Sequence, residues 1–329
     1  MNKLFLLMLT LLANLSVGAA NKYDNPDTLF VARDGSAEFR NIDDAIEVCR
    51  AFMEYHKVIF VKRGVYKEKL IIPSWLTNIE ICGEDRDNTI ITYDDHANIK
   101  RPETGKAMGT FRTFTLKVEG NYITLKNITI ENNAARLGQA VALHTEGDHL
   151  LFINCRILGN QDTIYTGTAH TRLYFKDCFI NGTTDFIFGP STAWFEGCTI
   201  CSKINSYITA ASTPADVKYG YVFNRCRLIA ETGVDKVFLG RPWREYGYTL
   251  FMNCEMGPQI RPEGWFNWSD PTREKTARYA EYNNHGPGAA TDKRVGWSRQ
   301  LTRKEAAQVT LSNVFHEDNA WIPAGETAR

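Results

Sequence analysis

One eight-residue phrase recurs along this chain, and such recurrence restricts the fold to a stack of coils or a ring of blades. It reads Leu150-Leu151-Phe152-Ile153-Asn154-Cys155-Arg156-Ile157, then Leu173-Tyr174-Phe175-Lys176-Asp177-Cys178-Phe179-Ile180. It returns as Ala193-Trp194-Phe195-Glu196-Gly197-Cys198-Thr199-Ile200, Tyr221-Val222-Phe223-Asn224-Arg225-Cys226-Arg227-Leu228 and Thr249-Leu250-Phe251-Met252-Asn253-Cys254-Glu255-Met256. An earlier copy carries Ile128 in the cysteine slot. The cysteines are 23, 20, 28 and 28 residues apart. A period of roughly 20–30 residues signals a solenoid, and the strand-like phrase makes it a β one.

The cysteine and the Ile, Leu or Met two residues later share one face of a strand, whereas the Phe three residues earlier has the opposite parity. The polar or small residue before each cysteine is therefore expected to bend the chain and return the Phe to the interior. Successive coils then lay Phe on Phe, Cys on Cys and Ile on Ile. This is an all-β fold, a single parallel β-helix, right-handed because parallel crossovers are. A β-propeller is the rival, but its blades repeat evenly at about 40 residues or more. Residues 41–56 place Ile42, Ala45, Ile46 and Cys49 at helical spacing and are expected to cap the N-terminal end. Val58-Ile59-Phe60-Val61 and Ile79-Glu80-Ile81 read as early strands. The repeat is lost from Asp270 onward, where an irregular C-terminal segment holds a short helix at 303–309. With no linker, residues 21–329 form one domain.

The first residues resemble a leader. Lys3 precedes a mostly apolar run over 4–15, and small residues end at Gly18-Ala19-Ala20. Residues 1–20 read as a secretory signal peptide cut near Ala19 or Ala20. The run is shorter than the roughly 20 residues a membrane span needs, so a secreted or periplasmic protein is expected, with no membrane partner. Lys plus Arg number 38, as do Asp plus Glu, so no global field draws the chain to nucleic acid. Secretion permits disulfides, but most of the eight cysteines sit in apolar strand patterns, where a thiol behaves as a small hydrophobe. Stacked rungs bring cysteine Cα atoms near the roughly 4.4–6.8 Å a disulfide needs. Cys178 and Cys198 are the best-placed pair, and a ladder of reduced thiols is the alternative. Cys198 and Cys201 form a CxxC, but Cys198 belongs to the repeat and no second pair accompanies it, which argues against a redox or zinc role. The seven histidines show no ligand spacing, and Asp94-Asp95 reads as a turn rather than a calcium site. No metal and no cofactor are expected. Asn127, Asn181 and Asn267 head glycosylation sequons that matter only in a host that glycosylates.

The repeat also carries chemistry. Asp162 lies seven residues after Cys155, and Asp185 seven after Cys178. On adjacent rungs about 4.8 Å apart, two carboxylates cannot both ionise freely; one is pushed toward its protonated form. Arg241, in the rigid turn Leu239-Gly240-Arg241-Pro242-Trp243, is expected to hold Asp185 ionised and to leave Asp162 as the proton carrier. Gln139 lies 23 residues before Asp162, the same step that separates Asp162 from Asp185, so it is expected in the same column one rung earlier. With Gln161 it offers amide donors suited to an oxyanion hole.

Several stretches together resemble the pectin methylesterases, a family of carbohydrate esterases. They are Gly64-Val65-Tyr66-Lys67-Glu68, the Gln139 segment, Gln161-Asp162-Thr163-Ile164-Tyr165, Asp185-Phe186-Ile187-Phe188-Gly189 and Leu239-Gly240-Arg241-Pro242-Trp243. The opening Val31-Ala32-Arg33-Asp34-Gly35-Ser36 and the late Tyr282-Asn283-Asn284-His285-Gly286-Pro287-Gly288-Ala289 are also similar, in the family's order. The resemblance implies that Asp185 is a nucleophile attacking galacturonate methyl esters. It implies that Asp162 is the general acid and then base, that Gln139 and Gln161 stabilise the oxyanion, and that Arg241 bonds Asp185. Trp243 and Phe188 are implied to contact the sugar. Tyr219 and Thr113 are further candidates for the cleft, whereas Gly64, Tyr66 and Glu68 read as structural. The implied partner is methyl-esterified pectin, acted on by a monomer. Where the family often has glutamine after Ile-Thr-Ala, this chain has Ala211, which leaves the polar contacts of that wall open. The rivals are a β-helical glycosidase, for which close carboxylates suit a retaining mechanism, a calcium-dependent lyase, and a non-catalytic carbohydrate-binding solenoid.

Overall fold

The computed structural model describes residues 21–315 and 321–323; the expected leader lies outside the described residues. Three parallel sheets of eleven, seven and eight strands run along the molecule, and each coil contributes a strand to each in turn. In the eleven-stranded sheet the repeats sit in strict register, with Phe152 opposite Phe175, Phe195, Phe223 and Phe251 on successive strands. The architecture is a right-handed parallel β-helix, as the repeat requires.

The expected bend is a single left-handed residue. Asn127, Asn154, Asp177, Gly197, Arg225 and Asn253 have φ between 49° and 61°. Asn, Asp and Gly tolerate that region better than other residues do. Asn154 Nδ2 donates to Asn127 Oδ1 at 2.8 Å, so side chains at the bend also link one rung to the next. The bend turns the five Phe rings inward, where they stack with centroids 4.4–4.6 Å apart and planes within 10°. Such offset ring contacts add to the burial of large apolar area.

The cysteines stack beside them and are all free thiols. This corrects the expected Cys178–Cys198 disulfide. Cys178 Sγ donates to the carbonyls of Phe152 (3.3 Å) and Lys176 (3.4 Å), and Cys198 Sγ to those of Phe175 (3.6 Å) and Glu196 (3.5 Å). Each thiol thus satisfies itself on backbone of its own and the preceding rung.

The ends are atypical. The N-terminal helix spans only Ile42–Glu47, burying Ile42, Ala45 and Ile46. It is shorter than the 41–56 expected: Asn41 gives no side-chain cap, and the chain after Val48 turns away. Its first amides are held by Glu68, whose carboxylate accepts from Ile42 N and Asp43 N at 3.0 Å. At the other end the helix expected at 303–309 covers only Arg303–Ala306, and a second short helix follows at Leu311–Val314. Val309, Leu311, Val314 and Phe315, in and beside these helices, cover Tyr174, Trp194, Val222 and Leu250 on the outer face of the eleven-stranded sheet.

Candidate active site

The seven-stranded sheet carries the site. Lys117, His144, Tyr165, Phe188 and Ala210 occupy one outward column on successive strands, and Arg241 follows at the next step. Asp162 and Asp185 stand just before two neighbouring strands of this sheet, Ile164–Thr166 and Ile187–Gly189. Those strands pair Ile164 with Ile187, so the aspartates share a lateral position one rung apart. Asp162 N donates to Thr184 O at 3.1 Å and Asp185 N to Tyr207 O at 2.9 Å, which continues the ladder through both. Both residues have positive φ, 66° and 49°. A left-handed aspartate carries backbone strain, and such strain clusters at functional sites.

Both carboxylates are buried, at 9% exposure for Asp162 and 6% for Asp185, yet their surroundings differ. Arg241 Nε donates to Asp185 Oδ1 at 2.9 Å and Nη2 to Oδ2 at 2.6 Å, a two-pronged pair. Among the described residues no ion pair reaches Asp162. Burial pushes the Asp162 carboxyl well above the usual range, and the charge of Asp185 pushes it further. Burial also raises Asp185, but hydrogen bonds from Arg241 and its charge pull it back. Of the two, Asp162 is held further toward its protonated form, and the arginine holds Asp185 toward its ionised one. The guanidinium is itself clamped, lying 4.0 Å from the Tyr207 ring centroid and 3.8 Å from that of Trp268. Arg273 donates to the Pro242 carbonyl and steadies the same turn.

A cleft of about 230 Å³ opens over the pair, lined by Gln139, Gln161, Phe188 and Trp243 together with Thr110, Phe111, Ala210 and Trp268. Phe188 and Trp243 meet edge to face at 5.7 Å. Gln139 is present but not for the expected reason. Leu143 pairs with Ile164, a step of 21 residues rather than 23, and Ala140 N donates to Gln161 O at 3.0 Å. Gln139 thus belongs beside Asn160 and Gln161, and the matching intervals misassign its column.

Two expected cleft residues lie elsewhere. Thr113 is fully buried; its hydroxyl donates to Thr110 O at 2.7 Å and accepts from Val141 N at 2.9 Å. It braces the loop that presents Thr110 and Phe111. Tyr219 lies under the C-terminal helices, edge to face with Tyr248 at 5.7 Å, because its loop leads into the eleven-stranded sheet. The open wall is settled by small side chains: Ala210 lines the cleft and Ala211 is buried. Sequence reasoning missed Phe111, Tyr207 and Trp268. Trp268 sits in a loop after the last repeat, where no periodicity marks it. Asp94 and Asp95 pair with Lys67 and Lys69.

Comparison with known proteins follows the same line. The Pectinesterase family profile matches residues 28–318. Pectinesterase 31 of Arabidopsis thaliana is 35% identical over 299 residues, 89% of this chain and 94% of the relative. Pectinesterase 4 of the same plant is 33% identical, but this chain spans about half of it, 48%. Among solved structures, pectin methylesterase from carrot superimposes with a TM-score of 0.81 at 31% identity, over 88% of this chain and 93% of that one. A pectin methylesterase in complex with a hexasaccharide superimposes with a TM-score of 0.77 at 28% identity, over 90% of this chain and 98% of its own.

Proposed function

The chain belongs to the pectinesterase family, and on that premise we propose that it hydrolyses galacturonate methyl esters in pectin through a covalent acyl-aspartate. The observation that carries this reading is the unequal treatment of two neighbouring carboxylates: a two-pronged arginine on Asp185 and none on Asp162.

In the first half-reaction an Asp185 oxygen attacks the ester carbonyl carbon. The carbonyl oxygen becomes an oxyanion that the amide groups of Gln139 and Gln161 stabilise by hydrogen bonding. As the intermediate collapses, the C–O bond to the methoxy group breaks. Asp162 gives that oxygen its proton, and methanol leaves. The galacturonyl group is then held as an anhydride on Asp185. Asp162, now a carboxylate, takes a proton from water, and the hydroxide oxygen attacks the same carbonyl carbon. The anhydride bond breaks, Asp185 regains its charge against Arg241, and the product is a free galacturonic acid that ionises in water. Burial assists at both stages, because it keeps a proton on Asp162 for departure and makes Asp162 a competent base once that proton is gone. Phe188 and Trp243 give the sugar an apolar wall. The apolar N-terminal run supports action outside the cytoplasm, on a pectin chain.

The deciding experiment is methanol release from highly methylated pectin, with chain length followed in parallel. Methanol without shortening is expected, and new reducing ends without methanol would mean a glycosidase instead. Asp185→Ala is expected to retain the fold and release no methanol; release at the wild-type rate would refute the nucleophile assignment.

A further inference from the structure

The floor of the cleft does not stop at Phe188. Tyr165 stacks on Phe188 with centroids 4.7 Å apart and packs against His144 at 4.8 Å. Phe111 covers Tyr165 from the rim at 4.8 Å. Because His144, Tyr165 and Phe188 occupy one register column, they form a rail along the solenoid axis, leading from the aspartate pair toward the N-terminal end.

A charged network lies beside that rail, two residues further along the strands that carry Lys117 and His144. Lys117 Nζ is 2.8 Å from Glu119 Oε1 and 3.5 Å from Glu146 Oε1. His144 Nε2 meets Glu146 Oε1 at 2.8 Å, and Thr168 Oγ1 donates to Glu146 Oε2 at 2.9 Å. Burial lowers the His144 ring to about 4, so it is neutral at ordinary pH. Against the cost of burial, Thr168 and the neighbouring His144 and Lys117 hold Glu146 below its ordinary value. Against the same cost, Glu119 and Glu146 raise Lys117. One ammonium therefore faces two carboxylates, and the carboxylate side chains remain 30% and 37% exposed. On the far side of the aspartates, Arg244 lies over the Trp243 ring at 4.7 Å.

We propose that the Lys117–Glu119–Glu146 network is a charge filter that disfavours free galacturonate carboxylates over the ring rail and so favours methyl-esterified residues there. The inference rests on the pectinesterase reading. A sugar chain lying along the rail passes beside the network, with Glu146 two rungs and Lys117 and Glu119 three rungs from that of Asp185, about 10 and 14 Å. Each uronate there is either a neutral ester or an anion, and the excess negative charge opposes only the anion. At these partly solvated separations a single charge alters binding by a factor of about three to ten.

The test is calorimetric binding of two oligogalacturonates, one unesterified and one fully methyl-esterified, to the mature chain and its variants. Glu146→Gln is expected to tighten the unesterified ligand about three- to tenfold relative to the ester. Lys117→Met, which deepens the negative charge, is expected to move the ratio the other way. Both shifts are expected to shrink in high salt, because exposed charges are screened. Glu119→Gln is expected to act like Glu146→Gln and replaces any variant whose melting shows it unfolded. An unchanged ratio in the glutamine variants, or equal loss of both ligands, overturns the filter and leaves the esterase reading standing. Failure of the wild-type chain to bind either ligand removes the underlying reading and the filter with it.

Discussion

At the scale of single residues, the proposed function rests on how differently two identical side chains are surrounded. Asp162 and Asp185 share a register position and a left-handed backbone, and only the second meets Arg241. In the proposed mechanism protonated Asp162 releases methanol, so the rate is expected to fall as pH rises through its elevated pKa, which a pH–rate profile measures. The same shift bears on stability. Above the usual carboxyl value near 3.8, the folded protein still holds a proton that the unfolded chain has released, so stability falls as pH rises across that window. Asp162→Asn is therefore expected to melt higher than wild type, by a margin that widens with pH over the window, while losing turnover. Gln161→Ala is expected to lower kcat about 100- to 1,000-fold with little change in KM, as loss of one oxyanion donor does; steady-state kinetics on methylated pectin decide it. The aspartates were legible in sequence because they ride on the repeat. The aromatic clamp of Tyr207 and Trp268 on Arg241 was not, since it joins residues from separate coils that share no periodic signal.

At the scale of the element, one left-handed residue per coil decides which side chains form the core. Without the bend before each cysteine, the Phe of the repeat would face outward by strand parity. With it, five rings stack through the interior. Phe195 touches rings on both sides and is fully buried. Phe195→Ala is expected to cost about 3–5 kcal/mol, read as a shift in denaturant midpoint, and Phe195→Leu considerably less. The bends and the stacking order were readable from the phrase itself. Strand registers outside it were not: the step from Leu143 to Ile164 is 21 residues, and only hydrogen bonding between the coils reveals that Gln139 stands two residues away from the column its spacing suggests.

At the scale of the whole molecule, a stack of coils exposes its core at both ends unless something covers it. The N-terminal helix and Glu68 close one end. Toward the other, Arg294 reaches in to Glu281, with side chains 4% and 1% exposed, and also donates to the carbonyls of Arg261, Pro262 and Gly288. Removing one member of so buried a pair leaves an uncompensated charge, so Arg294→Met is expected to destabilise by about 3–5 kcal/mol, measured by chemical denaturation. The solenoid, its inward Phe and Cys columns and the neighbouring aspartates follow from the sequence alone, because a repeat dictates the same local geometry in every coil and stacking copies it along the axis. Free thiols in place of a disulfide, the true position of Gln139, the burial of Thr113 and Tyr219 away from the cleft, and the rings around Arg241 were decided only by the tertiary structure. Those depend on where the irregular segments between strands come to lie, and coils of unequal length bring residues together that no interval in the chain relates.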